Sequence, residues 1–250
     1  MNKLDFYIKK LLGKPTVGEF NLLGQQVMLG ISAPRELRRA NDIEIESELI
    51  DHMRPVMRAN DVLYDVGANI GLISILMAKY CAGASTFVQC FEPEPKNYRQ
   101  LENNIRLNQL SDQINCHRMA LGANEGEIAL HVRGAAGGEG RHSIATDKGA
   151  TGSIQVKLAT MSHFAALSGK SPSVVKIDVE GAEGQVLAGM ENLIADKPPR
   201  EIFMEIHSKG DGDAMPNGET IDSWLQQRGY SMIWSNTRRS GEHRHYQRTL

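Results

Sequence analysis

Five polar side chains stand at or just past the ends of apolar, β-branched runs in this 250-residue chain. Asp65 lies near the close of VLYDV, Glu92 follows TFVQCF, Asp178 follows VVKI, and Glu205 and His207 flank Ile206 in EIFMEIH. A single acid in such a place often does no more than cap the next helix. Several on one edge describe a crevice, because open α/β sheets bind ligands beyond the carboxyl ends of their strands. Carboxylates and an imidazole there can hold hydroxyl and ammonium groups, take up a proton, or ligate a cation.

The elements that must position them follow from hydrophobic periodicity. Ile45, Leu49, Met53, Val56 and Met57 recur at helical spacing over 43–57. Strand Val62–Val66 then leads into an almost wholly apolar helix, Leu72–Cys81. The beat repeats with strand Thr86–Phe91, a helix opened by Pro95 and striped by Tyr98, Leu101 and Ile105, and a short strand Ile114–Arg118. Ile128–Val132 alternates, as does Ile154–Leu158, so the two form a β-hairpin around the glycine-rich segment Arg133–Ser153, which reads equally as a lid or a plain surface connection. Strand Ser173–Asp178, a helix carrying Val186, Leu187 and Met190, strand Glu201–Ile206, helix Ile221–Arg228 and closing strands at Tyr230–Trp234 and His243–Arg248 complete the series. Such alternation predicts an α/β fold, a doubly wound and mostly parallel sheet with helices on both faces and a small β-hairpin insertion. Residues 1–42 read as an N-terminal decoration, irregular apart from a short amphipathic helix in MNKLDFYIKKLLGKP and strands near Phe20–Leu22 and Gln26–Leu29; residues 43–250 form the main domain.

The turn after the first core strand narrows the ligand. Gly67 lets the backbone bend sharply with no Cβ in the way of a ligand, and Gly71 opens the following helix. Glu92 comes about 20 residues after Gly71, where this architecture places the acid that binds ribose hydroxyls. The turn reads Gly67-Ala68-Asn69-Ile70-Gly71, so a dinucleotide fingerprint lacks its central glycine, and Asn69 would crowd a pyrophosphate. Asp65 would repel a phosphate yet suit an ammonium group. Ribose, ammonium and no phosphate together describe S-adenosylmethionine (SAM). An NAD-dependent dehydrogenase and a non-catalytic SAM-binding protein are the alternatives.

VLYDVGANIG, FEPEPKNYRQLENNIRLN, VVKIDVEGAEGQVLAGM and EIFMEIH resemble the FkbM family of SAM-dependent methyltransferases, from about Glu44 to Tyr230. That resemblance implies a class I methyltransferase, Rossmann-like fold, SAM as cofactor, and O-methylation of a small metabolite, sugar, glycan or polyketide-type hydroxyl. Carried onto this sequence, it implies that Asp65, Gly67, Ala68, Asn69 and Gly71 shape or contact the methionine end. Glu92 would hold the ribose, and Ala120 and Leu121, with Met119, would border the adenine. The family's T-L-D after the hairpin is here Thr160-Met161-Ser162, so that acid's role is not carried over.

His207 is the candidate base for the acceptor hydroxyl, with Glu205 two residues away to orient it and Asp178 beside them; the bland alternative is an internal Glu205–His207 hydrogen bond. Asp178, Glu205 and His207 could instead gather a divalent cation that acidifies a vicinal diol; their spacing alone does not diagnose one, and no metal ligand is assigned. Lys176, within a covered strand, either pairs with a nearby acid, for which Glu180 and Glu183 are natural candidates, or lines the pocket and contacts substrate. Arg238, Arg239, His243, Arg244, His245 and Arg248 read most simply as a solvated basic face, the alternative being a surface that meets an anionic substrate such as a nucleotide-activated sugar.

A net charge of −2 argues against a nucleic-acid partner bound through a broad basic footprint. No apolar run is long enough to span a bilayer, and the N-terminus lacks the form of a secretory signal. Cys81, Cys90 and Cys116, with no C-x-x-C pair, read as buried free thiols of a reducing, cytoplasmic compartment.

Overall fold

A computed structural model describes residues 3–14, 16–41, 43–82, 85–132, 152–207, 214–238 and 241–249. Its elements run α1 (Lys3–Leu11), β1 (Val17–Leu22), β2 (Gln25–Gly30), α2 (Pro34–Asn41), α3 (Ser47–Met53), β3 (Val62–Val66), α4 (Leu72–Tyr80), β4 (Phe87–Phe91), α5 (Pro95–Leu107), β5 (Ile114–His117) and β6 (Ala120–Leu121). They continue with β7 (Gly126–Val132), β8 (Gly152–Ala159), α6 (Met161–Ser168), β9 (Val174–Ile177), α7 (Glu183–Ala188), α8 (Glu191–Asp196), β10 (Glu201–His207), α9 (Ile221–Gln226), β11 (Tyr230–Thr237) and β12 (Gly241–Arg248).

Seven strands form the central sheet in the order β11-β12-β10-β9-β3-β4-β5. β10, β9, β3, β4 and β5 are parallel, whereas β12 and β11 join antiparallel. The short strands β3, β4 and β9 are buried almost throughout, which explains their continuous rather than alternating apolar runs. One core packs α4 and α5 against a sheet face, with Ile75, Leu76, Leu101 and Ile105 meeting Leu63, Val88 and Val174. The other, containing Val186, Leu187, Trp224 and Leu225, covers Tyr64, Val175, Ile202 and Met204. β7 and β8 pair as the expected hairpin, Ile128 opposite Val156, and β6 adds a third strand beside β8. The segment proposed as a lid falls mostly on residues 133–151, outside the described residues.

The N-terminal segment is more regular and more deeply embedded than its glycines and prolines imply. Phe6, Phe20, Leu22, Val27, Leu29 and Leu37 share the core that contains α4 and α5. Pro34 starts α2 rather than breaking a helix, and Glu36 reaches back to the backbone N–H (2.6 Å) and hydroxyl (2.7 Å) of Ser32. The predicted helix over 43–57 is divided: 3-10 turns at Ile43–Glu46 and Arg54–Val56 flank α3, the second containing Pro55. At the end of the sheet opposite the strand C-termini, Arg200 clamps Asp61 bidentately at 2.9 and 2.8 Å and donates to the Val56 carbonyl.

The basic tail is not a solvated face. β12 lies inside the sheet between β10 and β11, which buries His243 and His245 to 1% exposure and Arg244 to 9%. Each finds an acidic partner there: Glu205 for His243, Glu201 for His245, and Glu242 for Arg244. Arg239 is outside the described residues. Of the cysteines, Cys90 is buried, while Cys81 and Cys116 are half-buried; all are free thiols. Among the described residues no helix is long and apolar enough to cross a membrane.

Candidate active site

A cleft of about 650 Å³, open to solvent, lies over the carboxyl ends of β3, β4 and β9. One wall is the turn after β3. The backbone N–H groups of Gly67 and Ala68 both donate to the Phe91 carbonyl at 3.0 Å, tying the turn to the end of β4. Asn69 takes a left-handed φ of 53°, a conformation asparagine tolerates better than most side chains. Its N–H donates to Glu92 Oε2 at 2.9 Å, and Glu92 Oε1 accepts from the Glu94 N–H at 2.9 Å. Burial drives the Glu92 carboxyl up to about 7; those two backbone donors pull it down and the Glu94 charge pushes it further up.

α5 begins beneath this acid. Glu94 caps the helix by accepting from the Asn97 N–H at 2.6 Å, and Pro95 occupies the first turn. Further along, Asn104 is fully buried and bridges two segments distant in sequence. Its Nδ2 donates to the Ile70 carbonyl at 2.9 Å, and its Oδ1 accepts from the Gly30 N–H at 2.8 Å. The N-terminal hairpin therefore braces the turn after β3.

The cleft contacts Gly67, Asn69, Glu92, Ala120, Leu121 and Asp178 from the expected set. It also touches Pro93, Asn97, Leu130, Val179 and Glu180, which the sequence reading did not place there. Pro93 and Asn97 adjoin Glu92 and the Glu94 cap, so FEPEPKN contained that information in its spacing. Leu130 arrives from the β7–β8 hairpin through tertiary packing, for which local sequence offers no signal. Gly71 caps α4 with a φ of 89°, and Ala68 is buried in the turn.

Asp65 is elsewhere. It is fully buried under the turn, where Ser74 donates to Oδ2 and the Lys176 ammonium lies 3.0 Å from Oδ1. β3 and β9 are adjacent and parallel with Asp65 in register with Lys176, so the two side chains meet across the ladder. Lys176 is thus paired with Asp65 and, at 3.6 Å, with Asp178, not with Glu180 or Glu183. Burial alone would lower its pKa; the charges of both aspartates outweigh that and hold it above the ordinary lysine range. Asp65 thus ties β3 to β9 and is not among the residues lining the cleft.

Asp178, Glu205 and His207 do converge, with one ligand atom from each lying within 4.8 Å of the others. His207 Nδ1 is held by Glu183 Oε1 at 2.8 Å, so Glu183, not Glu205, orients the ring. Its Nε2 faces Glu180 at 3.6 Å and Asp178 and Glu205 at 3.8 Å each. Burial would lower the imidazole pKa; the Glu183 hydrogen bond and the charges of Asp178, Glu183 and Glu180 overcome it and raise the value to about 9. Glu205 is approached on its other side by His243 Nε2 at 3.4 Å. Ser162 links α6 to α8: it donates to the Gly189 carbonyl and accepts from the Leu193 N–H.

A doubly wound sheet with this turn, this acid after its second strand and a polar cluster beyond its fourth and fifth defines a class I, Rossmann-like methyltransferase. A model of the methyltransferase FkbM domain matches residues 65–232, and the chain belongs to that family. It is 28% identical over 196 residues to the hexuronic acid methyltransferase AglP of Haloferax volcanii, covering 78% of this chain and 75% of that protein. It is 29% identical over 178 residues to the 31-O-demethyl-FK506 methyltransferase FkbM of Streptomyces tacrolimicus, covering 60% of this chain and 67% of that one. In fold it is similar to the crystal structure of methyltransferase FkbM from Methylobacillus flagellatus, with a TM-score of 0.53 at 14% identity over 77% of this chain and 45% of that one.

Proposed function

We propose that this protein transfers the methyl group of SAM to a hydroxyl oxygen of a sugar, glycan or polyketide-type metabolite. The observation carrying the reading is the continuity of one cleft from Glu92 and the Ala120–Leu121 strand to Asp178. In it Glu92 accepts hydrogen bonds from the ribose diol, Ala120 and Leu121 border the adenine, and Gly67 and Asn69 line the path of the methionine end. Asp178, Glu205 and His207 face the acceptor. The oxygen–methyl bond forms as the methyl–sulfur bond breaks, the electron pair stays on sulfur, and S-adenosylhomocysteine leaves. Alignment of acceptor, methyl and sulfur contributes about 7–11 kcal/mol to such a reaction. Because His207 holds a proton up to about pH 9, a carboxylate, Asp178 or Glu205, takes the hydroxyl proton at neutral pH beside the imidazolium.

The names of the relatives set the acceptor panel: hexuronic acids and their glycosides on one side, hydroxylated macrolides on the other. Calorimetric titration with SAM and with NADH, followed by assay of S-adenosylhomocysteine release over that panel, tests the assignment. SAM binding with acceptor-dependent release is expected. NADH binding without SAM binding overturns the assignment, and SAM binding with no release on any acceptor reduces the protein to a non-catalytic binder.

A further inference from the structure

The cluster beyond β9 and β10 has the form of a cation site. Four carboxylates, those of Asp178, Glu180, Glu183 and Glu205, approach one imidazole within 3.8 Å. The His207 imidazolium, with Lys176 beside Asp178 and His243 beside Glu205, offsets part of this negative charge, and a divalent cation would take the place of the His207 proton. The ring among them is also oriented. Glu183 has no exposed surface, gives Oε1 to Nδ1 of His207, and leaves Oε2 buried with no partner among the described residues. A carboxylate on one ring nitrogen, with the other nitrogen directed at oxygen donors, is the usual support of a metal-bound histidine. β10 supplies Glu205 and His207 two residues apart, so both project from one face of the strand; the neighbouring parallel strand β9 delivers Asp178 opposite.

We infer that Asp178, Glu205 and His207 bind one divalent cation at the acceptor end of the cleft, and that the acceptor is a chelating oxygen pair, a vicinal diol or a hydroxy-carboxylate. The donor set of two carboxylates and one imidazole suits Mn²⁺ better than an all-oxygen ion such as Ca²⁺. With their ligand atoms within 4.8 Å of one another, the three groups can grip one ion and leave its remaining positions to water or acceptor. The three side chains remain accessible, at 28%, 14% and 11% exposure, and Asp178 also lines the cleft. An ion there would displace the His207 proton and lower the pKa of a bound hydroxyl, whose proton would then pass to water instead of to Asp178 or Glu205 before the oxygen takes the methyl group. It also neutralises the cluster toward an anionic acceptor that these acids would otherwise repel.

The inference rests on the methyltransferase reading for its acceptor but not for the ion, so the two are measured separately. Mn²⁺ alone is titrated into chelator-treated full-length protein and followed by electron paramagnetic resonance and calorimetry, beside an independent SAM titration. One bound Mn²⁺ per chain is expected. Binding should be lost in Glu205→Gln and weakened about 10–100-fold in Glu183→Gln, which alters only the group supporting His207. Turnover on a diol or hydroxy-acid acceptor should fall at least tenfold in chelator and return with Mn²⁺. No Mn²⁺ binding by the wild-type protein, or full turnover in excess chelator, overturns the inference while leaving SAM binding intact. Mn²⁺ binding without SAM binding supports the ion site and removes the methyltransferase reading instead.

Discussion

Gly67 and Asp178 meet where β3 and β9 end side by side: a Cβ added to Gly67 would lie 1.8 Å from the Asp178 carbonyl oxygen. Gly67 also has a φ of 80°, so its lack of a side chain is required twice, by conformation and by the neighbouring strand. The close approach joins the Glu92 side of the cleft to its Asp178 side. Gly67→Ala is expected to spread the two strand ends, cost about 1–3 kcal/mol of stability or more by overpacking, and weaken SAM binding. Thermal unfolding with SAM titration measures both; an unchanged melting temperature and affinity would contradict the contact.

Lys176 and Asp65 form a buried ion pair at 3.0 Å, with side chains 6% and 1% exposed. Removing only the cation leaves a carboxylate without compensation. Lys176→Met should destabilise the protein by about 3–5 kcal/mol in denaturant unfolding, and Lys176→Met with Asp65→Asn should recover part of that loss. A single variant as stable as wild type would show the pair to be dispensable.

Glu92 sets a pH dependence. Its folded-state pKa is raised to about 7, so its contribution to the stability of the ligand-free protein is full below the ordinary carboxylate range and lost as pH rises through 7. SAM affinity runs the other way, because a diol donates best to the ionised carboxylate. Between pH 6 and 8 affinity should increase about tenfold, one pKa-type transition near 7, and Glu92→Gln should flatten the profile. A flat wild-type profile would remove Glu92 from ribose recognition.

Asn104 should affect the cleft without touching it. Asn104→Ala deprives the Ile70 carbonyl and the Gly30 N–H of buried partners, a cost of about 1–3 kcal/mol. If the hairpin braces the turn, SAM affinity falls as well, and that calorimetric loss separates bracing from simple destabilisation.

Much of the fold was legible because covered parallel strands and the helices packed on them leave strong periodic signals, as in VLYDV and LISILMAKY. The turn after β3 and its tie to Glu92 were legible because Gly67, Asn69 and Glu92 lie within one strand–turn–helix–strand unit. Pairings decided by register were not. Asp65 and Lys176 meet because β9 lies beside β3, an adjacency that neither segment encodes alone. His243 and His245 sit in a segment whose polar composition reads as surface, and only the insertion of β12 between β10 and β11 buries them. α2 escaped notice because its capping residues, Ser32 and Glu36, enclose a proline that otherwise signals a break.

The placement of β12 also sets an order of assembly. Asp65, Glu92 and Asn97 lie within a short stretch of sequence, whereas Glu205 acquires its neighbour His243 only from 38 residues further on. Contacts close in sequence form sooner than remote ones. A chain emerging during synthesis therefore forms the turn after β3 and its tie to Glu92 early, whereas Glu205 gains His243 only when the last strand, β12, enters between β10 and β11.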